Sequence, residues 1–530
     1  MGDAEANPDR WRRRIWIGVI AIGAALVVVR NLVDLSASPP GLYVDEASIG
    51  YNAWTMAHFG VDEHGIHVPL FFEAFGEYKN PIYVYALAAL LRFLPLTVAS
   101  ERLPAAIFGL VAVGFLTATA WRLTGSRVIT LGFLALTALT PWLVIESRVG
   151  FETISMVALL AAALWCLAGS PPSARQFGAA GVLLAFAIYG YTTARLEVLL
   201  LAIALGVAWG VARTPGWWRA IVPVVAGYGV LGVYMLLNPG ALTGRFALIS
   251  IWADGAPLGT VIDRFLVNYF SYFGAGFLFI SGDANPRQNT EIGGMLLWVM
   301  APLIIAGILV CWQRRREPLV RFLVAAILLA PIAAALTNNG TPHALRSSVM
   351  LPFLIVLAVL GADGIRRVIG GRVGLGLGVA AVLGAGILAQ GAVYTIDLYS
   401  AYPNRAAPFF DTGETAAIAT AHADSLGHAV YLSESLDQPY IEAFFALLPP
   451  PPRQPVTDDA TPGLTAVGMQ VTTPQLAEQR ASTGDLLVLD LFDPAPPAGW
   501  SLIATERAPA SAADPSAPRP ILMRVYRLDG

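Results

Sequence analysis

Cysteine is nearly absent from this chain, and charge is sparse. Its two cysteines, Cys166 and Cys311, both fall inside apolar runs. They exclude a disulfide framework and a thiolate zinc site, and buried free thiols are expected. Only 13% of the 530 residues are charged, about half the share found in an ordinary soluble domain. With 56% hydrophobic residues and a mean hydropathy of +0.63, the chain reads as a multi-span membrane protein. A net charge of −3 excludes a broadly basic nucleic-acid binder, so no nucleic acid is expected among its partners. No small-residue cleavage site follows the first apolar segment, which is read as an uncleaved span rather than a signal peptide. A Gly-rich phosphate loop and an internal repeat are also lacking.

What the chain does have is a series of long apolar runs. Residues 15–33 are long enough to cross a hydrocarbon core of ~30 Å, and Arg12, Arg13 and Arg14 ahead of them belong on the cytoplasmic side. Similar runs recur at about 103–121, 127–145, 150–168, 176–190, 196–212, 218–237, 294–312, 318–336, 346–362 and 372–392. The run 81–96 is short, opens with proline, and is interrupted by Arg92 and Pro95. If 81–96 does not cross, every cytoplasmic loop is basic: Arg122 and Arg127, Arg175, Arg213 and Arg219, Arg314 to Arg316, then Arg366, Arg367 and Arg372. If it crosses, all of them invert. The positive-inside rule therefore favours about 11 spans, with 81–96 re-entrant or partly embedded. The stretch from Gly371 to Gly386 reads as small-residue helix packing.

This topology sends 35–80, Glu146 to Glu152, Tyr189 to Arg195, 238–293, Thr337 to Arg346 and everything after 393 to the external face. From about 394 the composition turns polar and Pro-rich, with loops at 449–455 and 508–520. HAVYLSE and DLLVLDLF pattern as strands, ETAAIATAHADSL and PQLAEQRAS as helices. The expected architecture is an all-α polytopic membrane domain, 1–393, with a small C-terminal extracytoplasmic α/β domain, 394–530.

Asp45 and Glu46 stand side by side just beyond the first span. Asp45 is either the N-cap of the helix that follows or a carboxylate held beside a lipid head group. The spacing of Ile49, Ala53, Trp54, Met56 and Ala57 predicts an amphipathic helix lying in the interface. Asp62, His64 and His67 have the residue types of a metal set, but solvated histidines are the plainer reading and no metal is expected. Further external charges are Glu146, Arg148 and Glu152 in ESRVGFE, Arg195 and Glu197 in YGYTTARLE, and His343 and Arg346 in TNNGTPHALRSS. An arginine at a span end often only anchors the interface. Several on the face that carries the acidic pair point to an anion site. The loop 238–293 reads as an interfacial helix over a lipid-chain groove followed by a polar turn with Asp283 and Arg287, or as a loop packed on the external domain.

The order YVDEASIGYNAW, GEYKNPIYVYAL, ERLPAAIFGL resembles the C-type membrane glycosyltransferases of the protein O-mannosyltransferase group (glycosyltransferase family 39). The lipid A aminoarabinose transferases belong to the same broad group. That family has an acidic pair after the first span, a Lys-Pro-Pro or His-Pro-Pro step, and an Arg-Leu-Pro step. This chain has Asp45-Glu46, Lys79-Asn80-Pro81 and Arg102-Leu103-Pro104, and the likeness covers roughly 40–170. The resemblance implies the C-type glycosyltransferase fold and a sugar donor linked to a polyprenyl phosphate. It implies inverting transfer of mannose or another hexose or pentose to a hydroxyl of a protein, polysaccharide or glycolipid, without a cofactor. Asp45 would be the general base, Glu46 would orient the acceptor or the loop, and Lys79 would face the phosphate. Arg148 and Arg346 are expected at the phosphate, with Arg102, Arg195, His343 and Glu152 in the same site. The acidic Glu152 comes one position earlier after its arginine than in the family. Two rivals remain: a transporter, and a non-catalytic cell-envelope scaffold. Against the transporter, no pair of broken helices marks two matching halves, and the charges gather on one face rather than at the midplane. A bacterial plasma membrane is the expected setting, with a cytoplasmic N-terminus and the C-terminal domain outside.

Overall fold

The computed structural model describes residues 8–169, 171–453 and 461–529. The side chains of Arg12, Arg13 and Arg14, and residues 454 and 455 of the Pro-rich loop, lie outside the described ones. Among the described residues, five helices are long and apolar enough to cross a membrane by length and composition: Val98–Thr124, Ala194–Val211, Trp218–Leu237, Pro318–Ala335 and Val373–Ser400. Shorter apolar helices lie between them, among them Arg127–Leu139, Thr153–Leu167, Ala174–Ala187 and Met300–Gln313. Pro81–Leu91 has 11 residues. At 1.5 Å per residue it is roughly 16 Å long, about half a hydrocarbon core.

Local chemistry explains where the helices depart from the apolar runs. The run 127–145 is cut after Leu139 because Pro141 cannot donate to the turn before it, and Thr140 takes the extended backbone that precedes a proline. The run 294–312 becomes helical only at Met300. Ahead of it, Gly294 lies against the Phe279 backbone, where a Cβ would come within 2.3 Å, and Met295 and Leu296 bond the carbonyls of Phe277 and Leu278. The Gly371–Gly386 stretch packs closely only at its end, where a Cβ on Gly386 would come within 2.5 Å of the Val299 side chain. A Cβ on Gly371, Gly374, Gly378 or Gly384 would meet nothing within 4 Å. Close packing also falls at Gly307 and Gly361, where the Met300–Gln313 and Met350–Ile369 helices cross. A Cβ on Gly361 would come within 1.9 Å of the Leu303 carbonyl oxygen. Cys166 and Cys311 are buried and unpaired, as their apolar setting predicts.

Two layers meet over the Val44–Phe59 helix. Ile49, Ala53 and Ala57 join the core of the helical bundle, whereas Val44, Ala47 and Tyr51 join the core of the C-terminal domain with Ile441, Phe444 and Phe445. The helix is thus buried from both sides rather than laid on a membrane surface. Glu46, not Asp45, caps it: Glu46 Oε2 accepts from the Tyr43 N–H at 3.1 Å.

The first segment after it forms a hairpin, β1 (Phe72–Ala74) with β2 (Glu77–Lys79). The C-terminal domain carries β3 (Val430–Ser433), β4 (Met469–Thr472), β5 (Leu486–Asp490), β6 (Trp500–Arg507) and β7 (Ile521–Leu528) in the order β4-β3-β5-β7-β6. β4, β3 and β5 run parallel, and β7 is antiparallel to both β5 and β6. The Glu414–Asp424 and Pro474–Arg480 helices and the strands β3 and β5 fall where the sequence patterns place them. The Val373–Ser400 helix runs unbroken past residue 393, and the next helix starts at Tyr402.

Candidate active site

The hairpin, the N-terminus of the Val44–Phe59 helix and the loops after residues 189, 238, 271 and 337 enclose a cavity of about 1360 Å³. Asp45, Lys79, Glu152, Arg195, His343 and Arg346 all line it. Glu46, Arg102 and Arg148 do not.

The excluded three have structural work. Arg102 is fully buried and holds Glu46 through two parallel bonds, Nε–Oε1 at 2.7 Å and Nη2–Oε2 at 2.8 Å. Its other donors reach the carbonyls of Leu35, Pro39 and Gly41. Glu46 also accepts from the Gly150 N–H at 2.8 Å, so its carboxylate has no room for an acceptor hydroxyl. Arg148, expected at the phosphate, donates instead to five backbone carbonyls, those of Arg30, Asn31, Val33, Asp34 and Ser38. Two of these, the carbonyls of Arg30 and Asn31, lie in the last turn of the Pro8–Leu32 helix, and the Tyr399 hydroxyl also donates to the first at 2.8 Å. The guanidinium caps that helix and turns the chain toward Asp45.

Asp45 presents its side chain, about a third exposed, to the cavity and is ion-paired with Lys79. Lys79, the only lysine in the chain, also bonds Glu77 Oε1 at 3.1 Å and lies 5.3 Å over the Phe75 ring. Burial lowers its pKa, but the charges of Asp45, Glu77 and Glu152 outweigh this and hold it above the ordinary value. Glu77 in turn reaches Arg245 at 3.4 Å. Glu152 accepts from the backbone N–H of Asn80 and from its side-chain amide at 3.0 Å. Glu77, Asn80, Arg245 and Arg287 were not among the residues expected here. Arg287 sits in a polar turn that the sequence marks, but only the fold brings that turn to the cavity, where its guanidinium stacks 3.9 Å from the Tyr43 ring.

The cavity carries more cationic than anionic freedom. Lys79 and Arg245 are matched by carboxylates, whereas Arg195, Arg287 and Arg346 have no carboxylate within 4.0 Å among the described residues. Among the described residues Arg346 donates only to Thr337 Oγ1 at 3.0 Å and the Asn339 carbonyl at 2.8 Å. His343 is not a cation here. Burial, then Arg346 and Arg287, push its pKa down to about 3, so the imidazole is neutral at physiological pH. Asp283 fixes this wall by accepting from the Ala344 and Asn285 N–H groups at 2.6 and 2.8 Å. Asp62 serves a turn, accepting from the His64 and Ile66 N–H groups at 3.0 and 2.8 Å. Among the described residues no cluster of three or more His, Cys, Asp or Glu side chains could hold a metal ion. A cavity with partly exposed carboxylates, Asp45 and Glu77, beside several unneutralised guanidiniums can take a proton at one end and an oxyanion at the other.

The chain shares the fold of ArnT. ArnT from Cupriavidus metallidurans in the apo state superposes with a TM-score of 0.52 at 13% identity, covering 96% of this chain and 98% of that one. The same protein bound to undecaprenyl phosphate gives 0.51 at 15% identity, with 96% and 98% covered. The oligosaccharyltransferase of Archaeoglobus fulgidus in the apo form gives 0.49 at 13% identity, covering 90% of this chain and 69% of that one. No family model and no curated protein matches the sequence. The chain thus has the fold of ArnT, in agreement with the fold expected from the sequence resemblance.

Proposed function

We propose that the protein is an inverting membrane glycosyltransferase, moving a sugar from a polyprenyl phosphate to an acceptor hydroxyl. The observation that carries this is the shared cavity of Asp45 and the carboxylate-free guanidiniums of Arg195, Arg287 and Arg346. The likeness in fold to ArnT, solved with undecaprenyl phosphate, supports the lipid-linked donor.

In this reading the acceptor oxygen attacks the anomeric carbon from the face opposite the phosphate, while its proton passes to the Asp45 carboxylate. The anomeric C–O bond breaks, and the lipid phosphate leaves with the electron pair and an added negative charge. The arginines stabilise that charge where it develops. Lys79 aims Asp45, because its ammonium is also held by the Glu77 carboxylate. The setting is the external face of a plasma membrane, with a protein, polysaccharide or glycolipid as acceptor.

The test is release of polyprenyl phosphate and transfer of radiolabelled sugar by the purified protein in nanodiscs. Asp45→Asn keeps the shape and removes the base, so transfer should fall by about 10²–10⁴-fold with donor binding retained. Full activity in that variant would end the assignment.

A further inference from the structure

We propose that the crevice between the carboxyl ends of β3 and β5 is an acceptor subsite that takes a sugar ring, which makes the acceptor a glycan. This rests on the transferase reading above and adds its acceptor class. β3 comes first in the chain, β4 lies on one side of it and β5 on the other, both parallel. The chain leaves β3 toward β4 on one side and leaves β5 toward β6 on the other, which opens a crevice between the carboxyl ends of β3 and β5, where α/β sheets take ligands.

Two loops border that crevice. The loop after β5 is held rigidly: Phe492 and Asp493 N–H groups donate to Asp490 Oδ1 at 2.7 and 2.9 Å, and Arg524 bonds the carbonyls of Asp490 and Asp493. The turn so fixed displays Phe492 with 80% of its surface exposed. Across the crevice, Ser435 Oγ donates to Asp493 Oδ2 at 2.7 Å and ties the two loops together. Glu434 and Asp437, beside Ser435, are exposed carboxylates.

The loop after β3 borders the candidate active site. Tyr440, just after the β3 loop, packs edge-on against Phe75 at 6.0 Å, and Phe75 is the ring beneath Lys79. Asp437 lies near enough to Asp45, Arg287 and Lys79 to feel their charges. An acceptor whose terminal hydroxyl reaches Asp45 thus extends toward Asp437 and Phe492.

The chemistry of the rim fits a sugar. A pyranose offers an apolar C–H face to a preordered aromatic ring and a rim of hydroxyl donors to carboxylates. An extended peptide would add to the open edge of β4 or β6, and the β3/β5 crevice is not an edge.

The test is saturation-transfer NMR on the full-length protein in nanodiscs, without donor. The probes are neutral methyl disaccharides of glucose, mannose, galactose and arabinose, beside a Ser/Thr-rich peptide of similar size. Saturation should reach the ring C–H protons of at least one disaccharide. Affinity should be about fivefold weaker in Phe492→Ala and in Asp437→Asn, both surface changes with unaltered circular dichroism. No signal from any disaccharide, equal signal in Phe492→Ala, or signal from the peptide alone overturns the proposal. The experiment needs no transfer, so a protein that binds sugar yet leaves the lipid-phosphate donor intact counts against the transferase reading instead.

Discussion

Asn80 accepts a 2.9 Å hydrogen bond from Arg195 Nη2 on its side-chain oxygen while both its nitrogens donate to Glu152. One fully buried residue thus links the base-side hairpin to the cationic wall. Proline, which the resembling family has here, would make none of these bonds. The Asn80 backbone, φ −85° and ψ 143°, already suits a proline followed by Pro81. Asn80→Pro should therefore fold and bind donor, but release Arg195 and Glu152 from their shared partner. The expected result is a loss of roughly 1–3 kcal/mol in stability, with a raised KM for the donor, measured by thermal unfolding and initial rates. An unchanged KM would show that Arg195 is held by other means.

Glu46→Ala and Arg148→Ala should behave unlike any change in the cavity. The first leaves the buried Arg102 guanidinium without its carboxylate; breaking such a pair costs about 3–5 kcal/mol. The second strips five carbonyls of their donor. Both variants should lower the unfolding temperature and the yield of folded protein. The fraction that folds should retain near-normal affinity for polyprenyl phosphate. Normal stability with lost lipid-phosphate binding would return these residues to the site.

The contrast shows where sequence reasoning stops. Basic loops set a topology that gathered Asp45, Lys79, Arg195 and Arg346 on one face, and the structure brings those four to one cavity. It could not separate Arg148 from Arg346, because a guanidinium capping carbonyls and one facing a cavity have the same sequence setting. Which carbonyls need a donor depends on where the first helix ends and how the chain then turns. The packing glycines were legible only in part for a similar reason: density of glycine at 371–386 does not say where a neighbour approaches, and only Gly386 is packed closely, on Val299, while a helix crossing lies at Gly307 and Gly361. Pairing partners from distant segments, such as β6 with β7 around the Pro-rich loop 508–520, were likewise beyond local pattern.

Arg346→Ala should weaken binding of polyprenyl phosphate roughly tenfold to a hundredfold, the worth of one charge-assisted contact. Its present bonds to Thr337 and Asn339 are few, so the unfolding temperature should hardly move. Lys should rescue only in part, since it brings the charge without the planar fork. Titration of undecaprenyl phosphate by native mass spectrometry measures both effects. Equal affinity in wild type and Arg346→Ala would remove this residue from the donor site.

Asp411 makes the junction between the C-terminal domain and the Val44–Phe59 helix sensitive to pH. Its Oδ2 accepts from the Val44 N–H at 3.2 Å. Burial, then the charge of Asp437, raise its pKa to about 7. An unfolded aspartate titrates near ~4. Between those values the folded protein holds a proton that the unfolded chain has released. The stabilisation is therefore complete below about pH 4 and is lost as pH rises through about 7. Ionised Asp411 then stands among Asp437 and Asp45, and the junction loosens. The unfolding temperature of the wild type should fall between pH 5 and pH 8. Asp411→Asn keeps the acceptor for Val44 and cannot ionise, so its decline should be shallower, the remainder coming from Asp437, Glu414 and Glu442, which burial also raises. A pair of parallel curves would show that Asp411 does not titrate in this range.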